Sequence, residues 1–116
     1  MIRLATALLA LSLAASPALA ADGAQLYNLQ CKLCHQGPAS TPLAPTLVGV
    51  TGKKIASRPD FNYSGALKAK GGKWTDANLE AWLANPRAFA SGAKMVVSVP
   101  SAESRKAIID YLKTLK

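Results

Sequence analysis

The sequence predicts a single all-α domain of about four to five short helices joined by long loops. Two observations carry that expectation. Apolar side chains recur at three- and four-residue spacing in four segments, each behind a residue suited to cap a helix, and no run of strand length alternates apolar with polar residues. A third observation, the run Cys31-Lys32-Leu33-Cys34-His35, marks where the chemistry lies. At 116 residues the chain is at most one small domain, which excludes a multidomain enzyme.

Of the first twenty residues fifteen are apolar and only Arg3 is charged. Leu4 to Leu13 forms an apolar stretch, and Pro17 precedes the small-residue site Ala18-Leu19-Ala20, the layout of a secretory signal peptide cut after Ala20. The alternative, an uncleaved anchor over Ile2 to Ala21, barely reaches the roughly 20 residues that a spanning helix needs. Residues 1–20 are therefore expected to be a cleaved signal peptide and residues 21–116 the mature, exported domain.

The helices follow in order. Asp22 with Gln25 three residues on reads as a capping-box start, with Leu26, Tyr27, Leu29 and Leu33 as an apolar side running to His35. Residues 36–62 read mostly as loop. Ser64 caps a short helix over Ala66 to Lys70, stopped by Gly71-Gly72. Thr75 opens another, with Leu79, Trp82 and Leu83 on one face, ending before Pro86. Ser101 opens the last, in which Ala107, Ile108, Tyr111, Leu112 and Leu115 recur at helical spacing.

Export puts Cys31 and Cys34, the only two cysteines, where a disulfide is the default use. Bridging them closes a loop of a few residues and restrains the unfolded chain little. A thioredoxin-like use needs a strand before Cys31, and none is readable; zinc would have only three ligands within five residues. The residue after the second cysteine decides: Cys-x-x-Cys-His is the motif for covalent attachment of c-type haem. Two thiols one helical turn apart reach two vinyl groups on one edge of the porphyrin, and His35 swings its imidazole under the ring toward iron. His35 is the sole histidine, so a second histidine ligand from this chain is impossible. Met1 leaves with the signal peptide, which leaves Met95, in a glycine-containing loop outside any helical stripe, as the sixth ligand. His/Met ligation holds haem at a relatively high potential. Haem also removes the objection to so long a loop, since Leu43, Leu47, Val48, Val50, Ile55 and Phe61 then have an apolar ring to wrap.

With these stretches together, and with Pro45-Thr-Leu-Val-Gly49, Gly52-Lys-Lys-Ile, Phe61-Asn-Tyr63-Ser, Trp74, Asn85-Pro86 and Gly92-Ala-Lys-Met95 at their separations, residues 23–116 resemble a class I cytochrome c of the mitochondrial-like bacterial type. The resemblance implies the cytochrome c fold, loops wrapped around one covalently bound haem, and an electron carrier rather than an enzyme. It implies that the Pro45 carbonyl accepts the Nδ1 proton of His35 and that Tyr63 and Trp74 hydrogen-bond a haem propionate. It also implies that the first and last helices cross closely, with Gly23 permitting the approach beside Tyr111. The chain departs from the family at Lys53, where an arginine is expected, at Ser91 and Ala93 before the Lys-Met pair, at Leu67, and at Val97, where a large aromatic is usual.

The mature chain carries 13 basic and 6 acidic side chains, a net charge of +7. Lys32, Lys53, Lys54, Lys68, Lys70, Lys73, Arg87 and Lys94 gather around the haem-bearing segments. With 6% aromatics and no recognition motif, nucleic-acid binding is not expected. The expected partners are redox proteins with acidic docking surfaces, reached by electrostatic steering, with weak association with anionic membrane surfaces at most. The reading is a soluble, monomeric, periplasmic carrier of single electrons. Two competing readings are a haem protein whose sixth site takes small molecules and a non-haem thiol protein; the absorption spectrum separates all three.

Overall fold

The computed structural model describes Ala10 and residues 22–116. The expected signal peptide and its cut after Ala20 lie, apart from Ala10, outside the described residues. Among those described there are five helices and no strand: α1 Gly23–Gln30, α2 Gly65–Lys70, α3 Asp76–Ala84, α4 Pro86–Phe89 and α5 Ala102–Leu112. The only β pairing among them is an isolated antiparallel bridge between Lys54 and Lys73.

Each expected cap is present. The Asp22 carboxylate accepts from the Ala24 and Gln25 amides at 3.0 and 3.3 Å. Ser64, Thr75 and Ser101 each accept from the amide three residues on, all at 3.2 Å. Such a cap satisfies one of the amides that the first helical turn leaves without a partner. α4 is an addition to the sequence reading. Asn85 ends α3, and its side chain accepts the Ala88 amide at 3.2 Å, so Pro86, which cannot continue α3, becomes the first residue of a new turn.

Helix α5 packs against both α1 and α3, which is why Ile109 is buried beside Ile108 and Leu112. Its apolar face must serve two neighbours and is wider than a single stripe. On α1 the inward face runs Gly23, Tyr27, Cys31, at four-residue steps. Leu29 and Leu33, expected on the apolar side, are instead 73% and 77% exposed. Each follows an inward residue by two positions, roughly 200° around the helix, so it points away when Tyr27 and Cys31 point in. The long loop is tied to the helical frame through its backbone: the Gly49 amide donates to the Leu115 carbonyl at 2.7 Å, and Gly52 and Ile55 donate to Trp74 and Gly72, both at 2.9 Å.

The α1–α5 contact depends on Gly23. A Cβ there would lie 2.2 Å from the Ala107 carbonyl oxygen, so the two backbones touch where a side chain would stand, and the Tyr27 and Tyr111 rings pack beside the contact at 5.1 Å. Gly23→Ala is therefore expected to force the helices apart and destabilise the domain by about 1–3 kcal/mol. Denaturant unfolding of the holoprotein measures this; a midpoint equal to wild type would show that the approach is not required.

Candidate cofactor site

Cys31 closes α1, and the next turn continues the helical path: the His35 and Cys34 amides donate to the Cys31 carbonyl at 2.9 and 3.2 Å. The turn carries both cysteines and the histidine into one cavity of about 300 Å³, a volume within the ordinary range for small-molecule sites. No disulfide joins the two cysteines. Burial, and then the neighbouring Cys34, push the Cys31 thiol up to about 11, so it stays neutral among the core side chains.

His35 is held from two sides. Its Nδ1 donates to the Pro45 carbonyl at 2.7 Å; since a carbonyl only accepts, the proton sits on Nδ1 and the Nε2 lone pair is left for another partner. Burial depresses the imidazole's pKa more than the Pro45 bond raises it, which favours the neutral, ligating form. The Tyr27 hydroxyl donates to the His35 carbonyl at 3.1 Å, fixing the backbone below the ring. Tyr27 reads in the sequence as a core residue only, and its place eight residues before His35 is the one local hint of this contact.

The Pro45 carbonyl has its own support. Thr46, 2% exposed, donates through Oγ1 to the Gly37 carbonyl at 2.7 Å and accepts the Val48 amide at 3.2 Å. Its own amide donates to Ser40 Oγ at 3.0 Å, and Ser40 Oγ donates to the Asp60 carboxylate at 2.9 Å. That bond holds the Asp60 carboxyl below its ordinary pKa. The chain Asp60–Ser40–Thr46 thus closes the loop around the residue that orients His35.

All seven residues expected at the site, Cys31, Cys34, His35, Pro45, Tyr63, Trp74 and Met95, line this one cavity. Trp74 is buried and stacks on Phe89 at 5.7 Å, while Tyr63 sits edge-on to Phe61 at 5.0 Å. Burial raises the Tyr63 hydroxyl's pKa although the Arg58 backbone hydrogen-bonds to it. Met95 is half-buried and packs against the core. Leu43, Val96 and Val97 line the cavity yet are 67%, 65% and 44% exposed, so they form its mouth. Arg58, not singled out in the sequence, also lines it and donates to the Val48 carbonyl; Lys53, Lys54 and Lys94 supply three more positive charges.

The composition of this wall tests what it can hold. The core residues Leu67, Leu79, Leu83, Ile108 and Leu112 face the cavity, so the centre of the domain is an apolar space that its own side chains leave open. Protein interiors otherwise pack like crystals, and an apolar void of this size costs several kcal/mol even after discounting its open side. Four cations and no carboxylate line it among the described residues. Two thiols, a neutral imidazole, a thioether, an apolar interior and a cationic rim fit a flat, apolar, iron-bearing macrocycle that carries carboxylates at one edge.

No protein-family model matches the chain. Curated relatives do. The chain is 43% identical over 95 residues to cytochrome c2 of Rhodomicrobium vannielii, covering 79% of this chain and 75% of that protein. It is 40% identical over 100 residues to cytochrome c2 iso-1 of Magnetospirillum fulvum, covering 83% of this chain and all of that one. Among solved structures, cytochrome cH from Methylobacterium extorquens superposes with a TM-score of 0.75 at 37% identity, over 82% of this chain and 97% of that one.

Because Thr46 is buried and doubly bonded, Thr46→Val is expected to strand the Gly37 carbonyl and Val48 amide and to cost about 1–3 kcal/mol. Ser40→Ala, at the more exposed end of the same chain, should cost less. Paired chemical-unfolding curves measure both, and the reverse ranking would show that the loop is not organised through Thr46.

Proposed function

This chain belongs to the class I cytochrome c family, whose members are one-electron carriers rather than enzymes and bind one covalent haem c, and from that premise we propose that it serves as a soluble periplasmic carrier shuttling electrons between redox complexes. The observation that carries the reading is the convergence of Cys31, Cys34, His35 and Met95 on a single apolar, cation-rimmed cavity.

In this reading Cys31 and Cys34 would form the thioethers to the haem, and His35 and Met95 would supply its iron ligands. The chemistry that the haem would supply when bound is a one-electron couple of its iron. The chain's own residues set the conditions for that couple. The Pro45 carbonyl draws on the Nδ1 proton and makes His35 a better donor. The Met95 thioether, as a ligand, would favour the reduced iron and raise the potential. Tyr63 and Trp74 line the cavity and would donate to a propionate of the bound haem, and Lys53 and Arg58 place positive charge in the same wall.

The periplasmic assignment rests on the signal-peptide pattern of residues 1–20. No helix among the described residues is long and apolar enough to cross a membrane. The partners proposed are redox proteins with acidic docking surfaces, met by a monomer. Charge placement supports this. Three of the six acids are ion-paired, Asp76 and Asp110 with Lys113, Asp110 also with Lys106, and Glu80 with Arg105, and these three acids lie on α3 and α5. Among the described residues, Lys32, Lys53, Lys54, Lys68, Lys70, Lys73, Arg87 and Lys94 have no acidic partner, so their positive charge is not balanced by ion pairs, and three of them, Lys53, Lys54 and Lys94, line the cavity.

Denaturing electrophoresis with haem staining should show haem retained through Cys31 and Cys34, and acid-acetone should fail to remove it. Met95→Ala should let carbon monoxide or azide bind and should lower the potential. Haem lost to acid-acetone sinks the thioethers, and an unchanged spectrum and potential in Met95→Ala sinks the axial assignment.

Exposed charges are screened beyond roughly 8–10 Å at physiological salt, so the rate of electron transfer to an acidic partner should fall about tenfold or more from low to high salt. Lys32→Glu should slow association and leave the potential alone, while Lys116→Glu should do little. Lys94 is a poorer probe, because its Nζ donates to the Asn62 carbonyl at 2.7 Å and its loss would disturb the loop beside Met95. Stopped-flow rates that are flat with salt would assign docking to the apolar mouth instead.

A further inference from the structure

The two axial candidates are supported very differently. His35 rests on Pro45, Tyr27 and the Thr46–Ser40–Asp60 chain. The segment that carries Met95 has no comparable support: Val96, Val97 and Ser98 are exposed, and among the described residues no hydrogen bond is made by residues 95–98. This stretch hangs between two attachments. On its N-terminal side the Ala93 amide donates to the Ala90 carbonyl at 3.0 Å, and Lys94 reaches Asn62. On its C-terminal side the Val99 amide donates to the Leu83 carbonyl at 2.8 Å, and one side chain gathers everything else.

That side chain is Arg105, in the first turn of α5 and only 14% exposed. Its Nη1 donates to two consecutive carbonyls, Val99 and Pro100, each at 2.8 Å, and its Nε donates to the Glu80 carboxylate on α3. Glu80 pins one edge of the guanidinium while the other edge holds the strand of chain that leaves Met95. A planar, always charged group with donors on both edges can join a carboxylate to two carbonyls at once, which an ammonium cannot do in the same geometry.

We infer that Arg105, locked by Glu80, is the positioning residue for Met95: by holding the Val99 and Pro100 carbonyls against α3 and α5, it keeps the 95–98 stretch closed over the cavity. The inference rests on the proposed axial role of Met95. It assigns Arg105 no contact with haem; the effect passes through the backbone.

The test uses ferric holoprotein and imidazole as the probe. Arg105→Leu, which keeps the apolar stem, should bind imidazole roughly tenfold more tightly than wild type, the order a lost charge-assisted hydrogen bond is worth. It should also weaken the far-red charge-transfer band of thioether ligation and speed hydrogen exchange at the Val99 amide. Glu80→Gln should move the same readouts by less, and Arg105→Lys should fall between wild type and Arg105→Leu. Gly23→Ala provides the control for destabilisation alone, with a lower unfolding midpoint and imidazole affinity within about twofold of wild type. If Arg105→Leu does not fold, Arg105→Lys and Glu80→Gln carry the test. Unchanged imidazole affinity in the Arg105 and Glu80 variants overturns the inference, as does an equal gain in Gly23→Ala. Wild-type protein that lacks the thioether band and binds imidazole as Met95→Ala does overturns the axial assignment itself, a result distinct from a failure at Arg105.

Discussion

The side chains that would form the core of an ordinary small domain here form the wall of a cavity. Leu67, Leu79, Leu83, Ile108 and Leu112 are buried, yet all face the same central space, so α2, which packs directly on no other helix, meets the packed pair of α3 and α5 across it. A chain with so many loop residues has little other means of burying apolar surface, and the fraction buried by a domain this small is modest to begin with. The covalent haem is therefore part of the core, and the thioethers keep it there through oxidation and reduction alike. The remaining contacts position that group rather than replace it.

Positioning is uneven across the two faces. On the histidine side, successive hydrogen bonds lead from Asp60 through Ser40 and Thr46 to the segment holding Pro45, and Tyr27 fixes the backbone of His35 from α1. Each member limits the movement of the next, so the imidazole has one orientation and one tautomer. On the methionine side, the stretch over 95–98 is exposed and spans two attachments. The proposed ligand Met95 thus sits on a loosely supported span and the proposed ligand His35 on a braced loop, a difference between the two halves of the chain.

The charges divide in a similar way. Asp76, Glu80 and Asp110 on α3 and α5 are engaged with Lys113, Arg105 and Lys106, whereas among the described residues Lys53, Lys54 and Lys94 at the cavity have no acidic partner. The exposed pairs contribute little stability, and their importance lies in where they leave the field unbalanced. A carrier must be attracted from a distance and released after contact, and unpaired surface charge acts at long range without the tight packing that slows release.

What the sequence by itself determined is local. Asp22, Ser64, Thr75 and Ser101 cap helices through amides no more than three residues away, and Cys31, Cys34 and His35 share one turn, so spacing alone placed them. Met95 was reached by counting, since no second histidine exists and Met1 belongs to the expected leader. What only the tertiary structure decided depends on residues far apart in the chain. Leu29 and Leu33 fall outside because the α1 face that meets α5 runs through Gly23, Tyr27 and Cys31. α4 appears because Pro86 can begin a turn that it could not continue. Arg58 enters the cavity wall from a loop without periodicity, and Arg105 meets Glu80 across 25 residues, as Lys94 meets Asn62 across 32. Helical periodicity and capping read only neighbours within a turn, whereas these contacts exist only once the helices have closed around the cavity, and no local pattern encodes that closure.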